Sequence, residues 1–311
     1  VAKFSGLKST GFLARATVAA ITAALVGTTT SAVAADGPQG AAEAASGIQQ
    51  SAPAAGTFGA QADTSEAADA EFRALYGLSG PTLYQYVPNG SGGYDAREWL
   101  TDQWSSIKNA QQADNDGDGF ADDFWVWDTY GYMAYAPGEG DVIEVGSGWN
   151  IYNKVMSPGN LGGASGADLI ARDSAGVLWI YLGYGDGRVT GRTKVGAGWQ
   201  IYNQIAGVGD LSGDGKADIV ARDGSGVLYL YKGTGNYKAP FEARTKIGAG
   251  WNLFNNLVGV GDLDYDGTSD LIARDSAGAL YRYSGTGNAA APFKPRVMIG
   301  TAGWNTYRLM F

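Results

Sequence analysis

The chain has 311 residues, 45% hydrophobic and 12% aromatic, with a net charge of −9. It contains no histidine and no cysteine, which excludes Ser-His-Asp and Cys-His triads, HExxH zinc sites, thiolate metal sites and disulfides. The acidic balance repels phosphate backbones, and no basic stripe follows the N-terminus, so no nucleic-acid partner is expected.

The N-terminus comes first. Lys3, Lys8 and Arg15 precede the apolar run "ATVAAITAALVG", and "AVA" at residues 32–34 supplies small residues at cleavage spacing. Residues 1–34 therefore read as a secretory signal peptide cut before Ala35, with an extracellular destination. The apolar run is shorter than the roughly 20 residues of a membrane span, so no stable membrane insertion is expected after cleavage. Residues 35–70, rich in Ala, Gly, Ser and Gln without periodicity, read as a flexible linker or pro-segment.

From residue 71 to 311 the chain repeats. "GWNIYN", "GWQIYN", "GWNLFN" and "GWNTYR" place Trp149, Trp199, Trp251 and Trp304 about 50 residues apart, with Trp104 one period earlier. Each unit holds an apolar strand, an Asp/Gly loop, "DLIARD" or a relative, a turn, an alternating strand such as "LYLY", and a last strand ending "KIG" or similar. Four short strands in a repeat of this length predict an all-β propeller. The chain ends inside a first strand, and "EFRALYGLSGPTLYQY" (71–86) aligns with "TSDLIARDSAGALYRY" (268–283). Five blades are therefore expected, the last strand completing a blade begun by residues 71–101. Four blades with an accessory element is the alternative.

Three loops carry Asp at relative positions 1, 5 and 9 and Gly at 6: "DNDGDGFAD" from Asp114, "DLSGDGKAD" from Asp210 and "DLDYDGTSD" from Asp262. They resemble the calcium loops of FG-GAP/VCBS repeats, found in integrin α-subunit propellers and secreted bacterial proteins. The resemblance implies structural Ca2+ in up to three sites. Its ligands would be Asp114, Asp116, Asp118, the Phe120 carbonyl and Asp122 in the first loop. The second would use Asp210, Ser212, Asp214, the Lys216 carbonyl and Asp218, and the third Asp262, Asp264, Asp266, the Thr268 carbonyl and Asp270. Oxygen donors at this density suit a hard cation, with affinity on the order of 10⁻⁴–10⁻³ M. Ser212 is the poorest ligand, so the middle loop is expected to bind most weakly. "NLGGASGAD" (Asn160–Asp168) keeps only Asn160 and Asp168 of the oxygen-bearing positions and is expected to hold no calcium. The competing reading is a cluster of Asx turns without metal.

"ARTKIGAGWNLFNNL" (243–257) and "GRTKVGAGWQIYNQI" (191–205) resemble the repeat of tachylectin five-bladed propellers, which bind N-acetylated amino sugars. That resemblance points to Trp149, Asn150, Trp199, Trp251, Asn252, Trp304 and Asn305 as ligand contacts. Against it, each tryptophan can simply pack one blade on the next. The recurring Arg172, Arg222 and Arg274 of "ARD" are expected to be structural, pairing across to a neighbouring strand or blade.

The function expected is non-enzymatic binding of an extracellular carbohydrate, through several weak equivalent sites. The alternative is a module that binds or modulates a secreted protein. A glycoside hydrolase using Asp128, Glu139, Asp141 and Glu144, or Glu98 and Asp102, ranks third. The divergence around "FWVWDTYGYMAY" (124–135) is read as drift of the repeat.

Overall fold

The structure, a computed structural model, describes residues 71–138 and 140–311. The signal-peptide and linker assignments, and Glu139, lie outside the described residues. β1 (Leu75–Ser79), β2 (Thr82–Tyr86) and β3 (Glu98–Thr101) open the first blade. Blade two is β4 (Ile107–Ala113), β5 (Asp123–Asp128), β6 (Met133–Ala136) and β7 (Ile143–Gly146). Blade three is β8 (Tyr152–Gly159), β9 (Asp168–Asp173), β10 (Leu178–Tyr181) and β11 (Thr193–Gly196). Blade four is β12 (Tyr202–Ala206), β13 (Ile219–Asp223), β14 (Leu228–Tyr231) and β15 (Thr245–Gly248). Blade five is β16 (Phe254–Gly259), β17 (Leu271–Asp275), β18 (Leu280–Tyr283) and β19 (Val297–Gly300). The last strand, β20 (Leu309–Met310), pairs antiparallel with β1. Five four-stranded antiparallel sheets result, and the fold is a five-bladed propeller closed by its C-terminal strand.

Burial follows strand position. The second strand of each blade is sandwiched between neighbouring blades, so it reads as a continuous apolar run: all six residues of β5 are buried, as are the first four of β9. Third strands alternate, as in "LWIY" and "LYLY". Fourth strands carry the exposed edge. The core is five clusters, one at each joint between blades.

Closure is specific. Tyr76 and Phe311 exchange backbone hydrogen bonds of 2.9 and 3.2 Å, and Arg308 N–H donates to the Leu78 carbonyl at 2.9 Å. The Phe311 ring stacks on Tyr76 and Trp104 at 5.3 and 6.0 Å. One detail departs from the gapless alignment. Leu78 pairs with Leu83, whereas Arg274 pairs with Leu280. The hairpin around Gly80 and Pro81 is one residue shorter, so Leu78 stands where blades three to five have arginine.

Candidate functional site

Each GW tryptophan opens a single 3-10 turn, as at Trp149–Ile151 and Trp199–Ile201. The glycine before it has a left-handed φ, 88° at Gly148 and 93° at Gly198, which glycine adopts without a Cβ clash. That conformation aims the backbone N–H of Trp149, Trp199, Trp251 and Trp304 at the hairpin carbonyls of Gly131, Gly176, Gly226 and Gly278 in the preceding blade, at 3.0, 2.9, 3.0 and 3.2 Å. The indoles then turn inward. Trp149, Trp199 and Trp251 are 8%, 7% and 8% exposed and pack on Tyr181, Tyr231 and Tyr283 at 4.7, 4.8 and 4.5 Å. Trp304 is partly buried against Tyr86 at 4.6 Å. These rings pack at the joints between blades, as the competing reading of the sequence has it. Asn150, Asn252 and Asn305 stay exposed above the hairpin glycines; a Cβ on Gly226 would lie 2.9 Å from Asn252.

The arginines lock the joints. Arg172 Nη1 donates to the carbonyls of Trp199 and Tyr202 at 3.0 and 2.5 Å, while its Nε donates to Asn153 Oδ1 at 2.8 Å. Arg222 makes the same contacts with Trp251, Phe254 and Asn203, and Arg274 with Trp304, Tyr307 and Asn255. Between blades one and two, Arg308 Nη2 donates to the Trp104 carbonyl at 3.0 Å. The structural role expected from "ARD" is met both ways, with the asparagine on the same blade's first strand and the carbonyls on the next blade.

The joint between blades two and three differs. Trp127 pairs with Met133 as Arg172 pairs with Leu178, so a tryptophan occupies the arginine position. Lys108 Nζ reaches the Tyr152 carbonyl at 3.1 Å in its stead. A cavity of about 150 Å³ opens here, lined by Lys108, Asn109, Trp127, Trp149, Tyr152 and Lys154 among others. Trp127 is 2% exposed and its Nε1 has no hydrogen-bond partner among the described residues. Burial first, and the Arg172 charge second, push the Lys154 ammonium down to about 8. The divergence of residues 124–135, read as drift, thus has a structural consequence. Its sequence signal was the absence of "ARD" from this one complete blade.

The acidic loops share one construction. The position 1 carboxylate caps the turn: Asp114 accepts from the N–H groups of Gly117 and Gly119 at 2.7 and 3.0 Å, and Asp210 from Gly213 and Gly215 at 2.7 and 2.6 Å. Asn160 caps the carboxylate-poor loop in the same way, through Gly163 at 2.9 Å. The closing aspartate turns inward. Asp218 accepts from Leu211 and Gly233, and Asp270 from Leu263 and Gly285. In the first loop these two contacts belong to Asp123, through Asn115 and Gly138, both at 2.9 Å. An extra residue after Gly119 shifts the frame, so Asp123 holds the position that the spacing assigned to Asp122. Asp122 sits beside Gly138 instead. Carboxylate oxygens of Asp114, Asp116 and Asp118 lie within 4.8 Å of one another, as do those of Asp262, Asp264 and Asp270. Burial, reinforced by neighbouring acids, raises Asp114 to about 6 and Asp122 and Asp270 to about 7.

Built-in cations separate the loops. Asp264 pairs with Arg282 at 3.1 Å, Asp266 with Lys294 at 2.6 Å, and Asp214 lies 3.6 Å from Lys232. Among the described residues no salt bridge reaches Asp114 or Asp116. The other carboxylates do not gather. Glu98, Asp102, Asp141 and Glu144 are exposed. Asp128 is buried and caps its hairpin by accepting from the N–H groups of Tyr130 and Tyr132.

The family model of the FG-GAP-like repeat matches residues 210–273, a stretch that holds the second and third acidic loops. The chain is a five-bladed propeller carrying FG-GAP-like repeats there. No curated protein matches it in sequence. Similar solved structures include Prp20p from Saccharomyces cerevisiae, at 11% identity and a TM-score of 0.38 over 74% of this chain. This chain spans 62% of that protein. The BP39L lectin from Burkholderia pseudomallei is 15% identical with a TM-score of 0.46, over 73% of this chain and 69% of the lectin. AofleA from Arthrobotrys oligospora is 9% identical with a TM-score of 0.39, over 76% of this chain and 89% of its own.

Proposed function

We propose that the protein is a secreted, non-catalytic propeller that holds calcium in its acidic loops and binds an extracellular carbohydrate between blades two and three. The observation that carries the binding assignment is the cavity there, lined by Trp127, whose indole N–H has no partner among the described residues. Sugar sites combine an aromatic face with a few convergent polar groups, and this joint supplies both. At the other joints an arginine side chain bridges to the neighbouring blade's backbone, so the reading is one pocket per chain in place of several equivalent ones.

Calcium fits the first and third loops. Asp114, Asp116 and Asp118 would supply carboxylate oxygens in the first, joined by the Phe120 carbonyl, and Asp262, Asp264 and Asp270 in the third; a bound ion would relieve the repulsion among these groups. Lys232 competes for Asp214 in the middle loop, where Ser212 replaces a carboxylate, so binding should be weakest there. The ion's part is to rigidify the loops, and no chemistry is routed through it.

Screening the calcium-loaded chain against a broad glycan panel, with a chelator control, tests the reading. Binding lost in Trp127→Arg supports it, and silence across the panel contradicts it. Turnover of any bound glycan would contradict the non-catalytic assignment.

A second reading has its own observation. Ile151, Ile201 and Leu253 occupy the same place in three successive 3-10 turns and are 49%, 49% and 59% exposed. An apolar row of this kind suits contact with a secreted protein.

A further inference from the structure

The repeat supplies its own reference for the open joint, because each position can be compared with its counterparts in other blades. Three substitutions meet there. Trp127 replaces the arginine found as Arg172, Arg222 and Arg274. Lys154 stands where blades four and five have Gln204 and Asn256, each paired with its blade's arginine. Lys108, one residue after Ile107, stands where the other blades have Asn153, Asn203 and Asn255. All three changes fall on residues that line one cavity.

Their chemistry points one way. Removing the arginine empties the joint, and two neutral amides become two ammonium groups. A buried indole N–H is added as a third donor. Lys108 spends one N–H on the Tyr152 carbonyl. Lys154 has no carboxylate within 4 Å among the described residues, and the Arg172 charge repels it. A partly buried ammonium without a counter-ion is costly. Two ammonium groups and an indole N–H outnumber the one carboxylate of the lining, Asp128, whose Oδ1 caps its own hairpin and whose Oδ2 is left to accept from a sugar hydroxyl; facing indole and phenol rings, the donors complement an anion carried on a ring. The volume of about 150 Å³ matches cavities that hold one six-membered ring.

We propose that this pocket takes the carboxylate of a sugar acid, a hexuronate residue, with the carboxylate on Lys154 and Trp127 Nε1 and the ring against the aromatic wall. The proposal rests on the carbohydrate reading above and narrows it to an acidic saccharide. The occupant is either the free monosaccharide or a uronate within a chain.

The experiment is calorimetric titration of the full calcium-loaded chain. The probes are glucuronate and galacturonate, their neutral parents glucose and galactose, the uronate methyl esters, and short oligomers of each uronate. Uronates should bind with one site per chain, and the esters and neutral parents at least tenfold more weakly. Oligomers binding more tightly than monomers would place the residue within a chain, and equal affinity would make the free acid the ligand. Lys154→Gln, which installs the residue of blade four, should lose the preference for acid over ester while the protein stays folded. Trp127→Arg, which restores the repeat, should abolish binding. Equal binding of acids, esters and neutral sugars, unaffected by Lys154→Gln, would overturn the acid inference and leave the carbohydrate reading standing. No binding of any saccharide would overturn both.

Discussion

At the scale of single residues, the molecule is a set of equivalent positions whose exceptions carry the information. Trp199 and Trp251 are buried and ringed by aromatics. Trp199→Ala should therefore destabilise the fold by about 3–5 kcal/mol in urea denaturation, without selectively removing ligand binding. A binding defect at unchanged stability would reverse that assignment. Lys154 makes a prediction of opposite sign. Its folded pKa lies below the usual lysine value, so the wild type loses stability as pH falls from the unfolded pKa through the folded one. Lys154→Gln should raise the ligand-free Tm at pH 7, and the gain should shrink as pH rises above about 8. Much of this was legible in the sequence. The recurrence of "ARD" announced a structural arginine, and the GW spacing announced packing. The pocket was harder to see, because a missing arginine in a divergent blade looks like drift until the joint it should fill is found open.

At the scale of elements, the acidic loops decide how the blades are braced. Asp114 and Asp122 have raised pKa values of about 6 and 7 without metal, so the calcium-free fold loses stability as pH rises through them. Calcium needs the ionised forms. The Tm gain on adding calcium should thus be small near pH 5 and grow toward pH 7.5, as differential scanning fluorimetry would read. Asp118→Asn should remove much of that gain, and Asp214→Asn little of it. Equal effects would show that Lys232 does not compete. The loop motif was plain in sequence, but its frame was not. Asp122 and Asp123 are adjacent acids, and only the hydrogen bonds from Asn115 and Gly138 identify Asp123 as the inward one. Spacing alone cannot register a one-residue insertion between two identical residue types.

At the scale of the whole molecule, a ring must close, and here three residues do most of the closing. Leu309, Met310 and Phe311 supply the inner strand of blade one and fill the joint toward blade two. Deleting residues 309–311 should expose the edge of β1 and lower Tm sharply, with self-association visible by size-exclusion chromatography. A truncated chain as stable and monomeric as the parent would mean that β20 is not the clasp. The closure was readable from the chain ending inside a first strand. The asymmetry of the closed ring was not, because four joints are sealed by Arg308, Arg172, Arg222 and Arg274 and one is left open.

That asymmetry is the centre of the account, and stoichiometry tests it most directly. Calorimetric titration of the calcium-loaded chain with the tightest-binding saccharide should give one site per chain, lost in Trp127→Arg. Four or five sites per chain, or one site indifferent to Trp127→Arg, would contradict it.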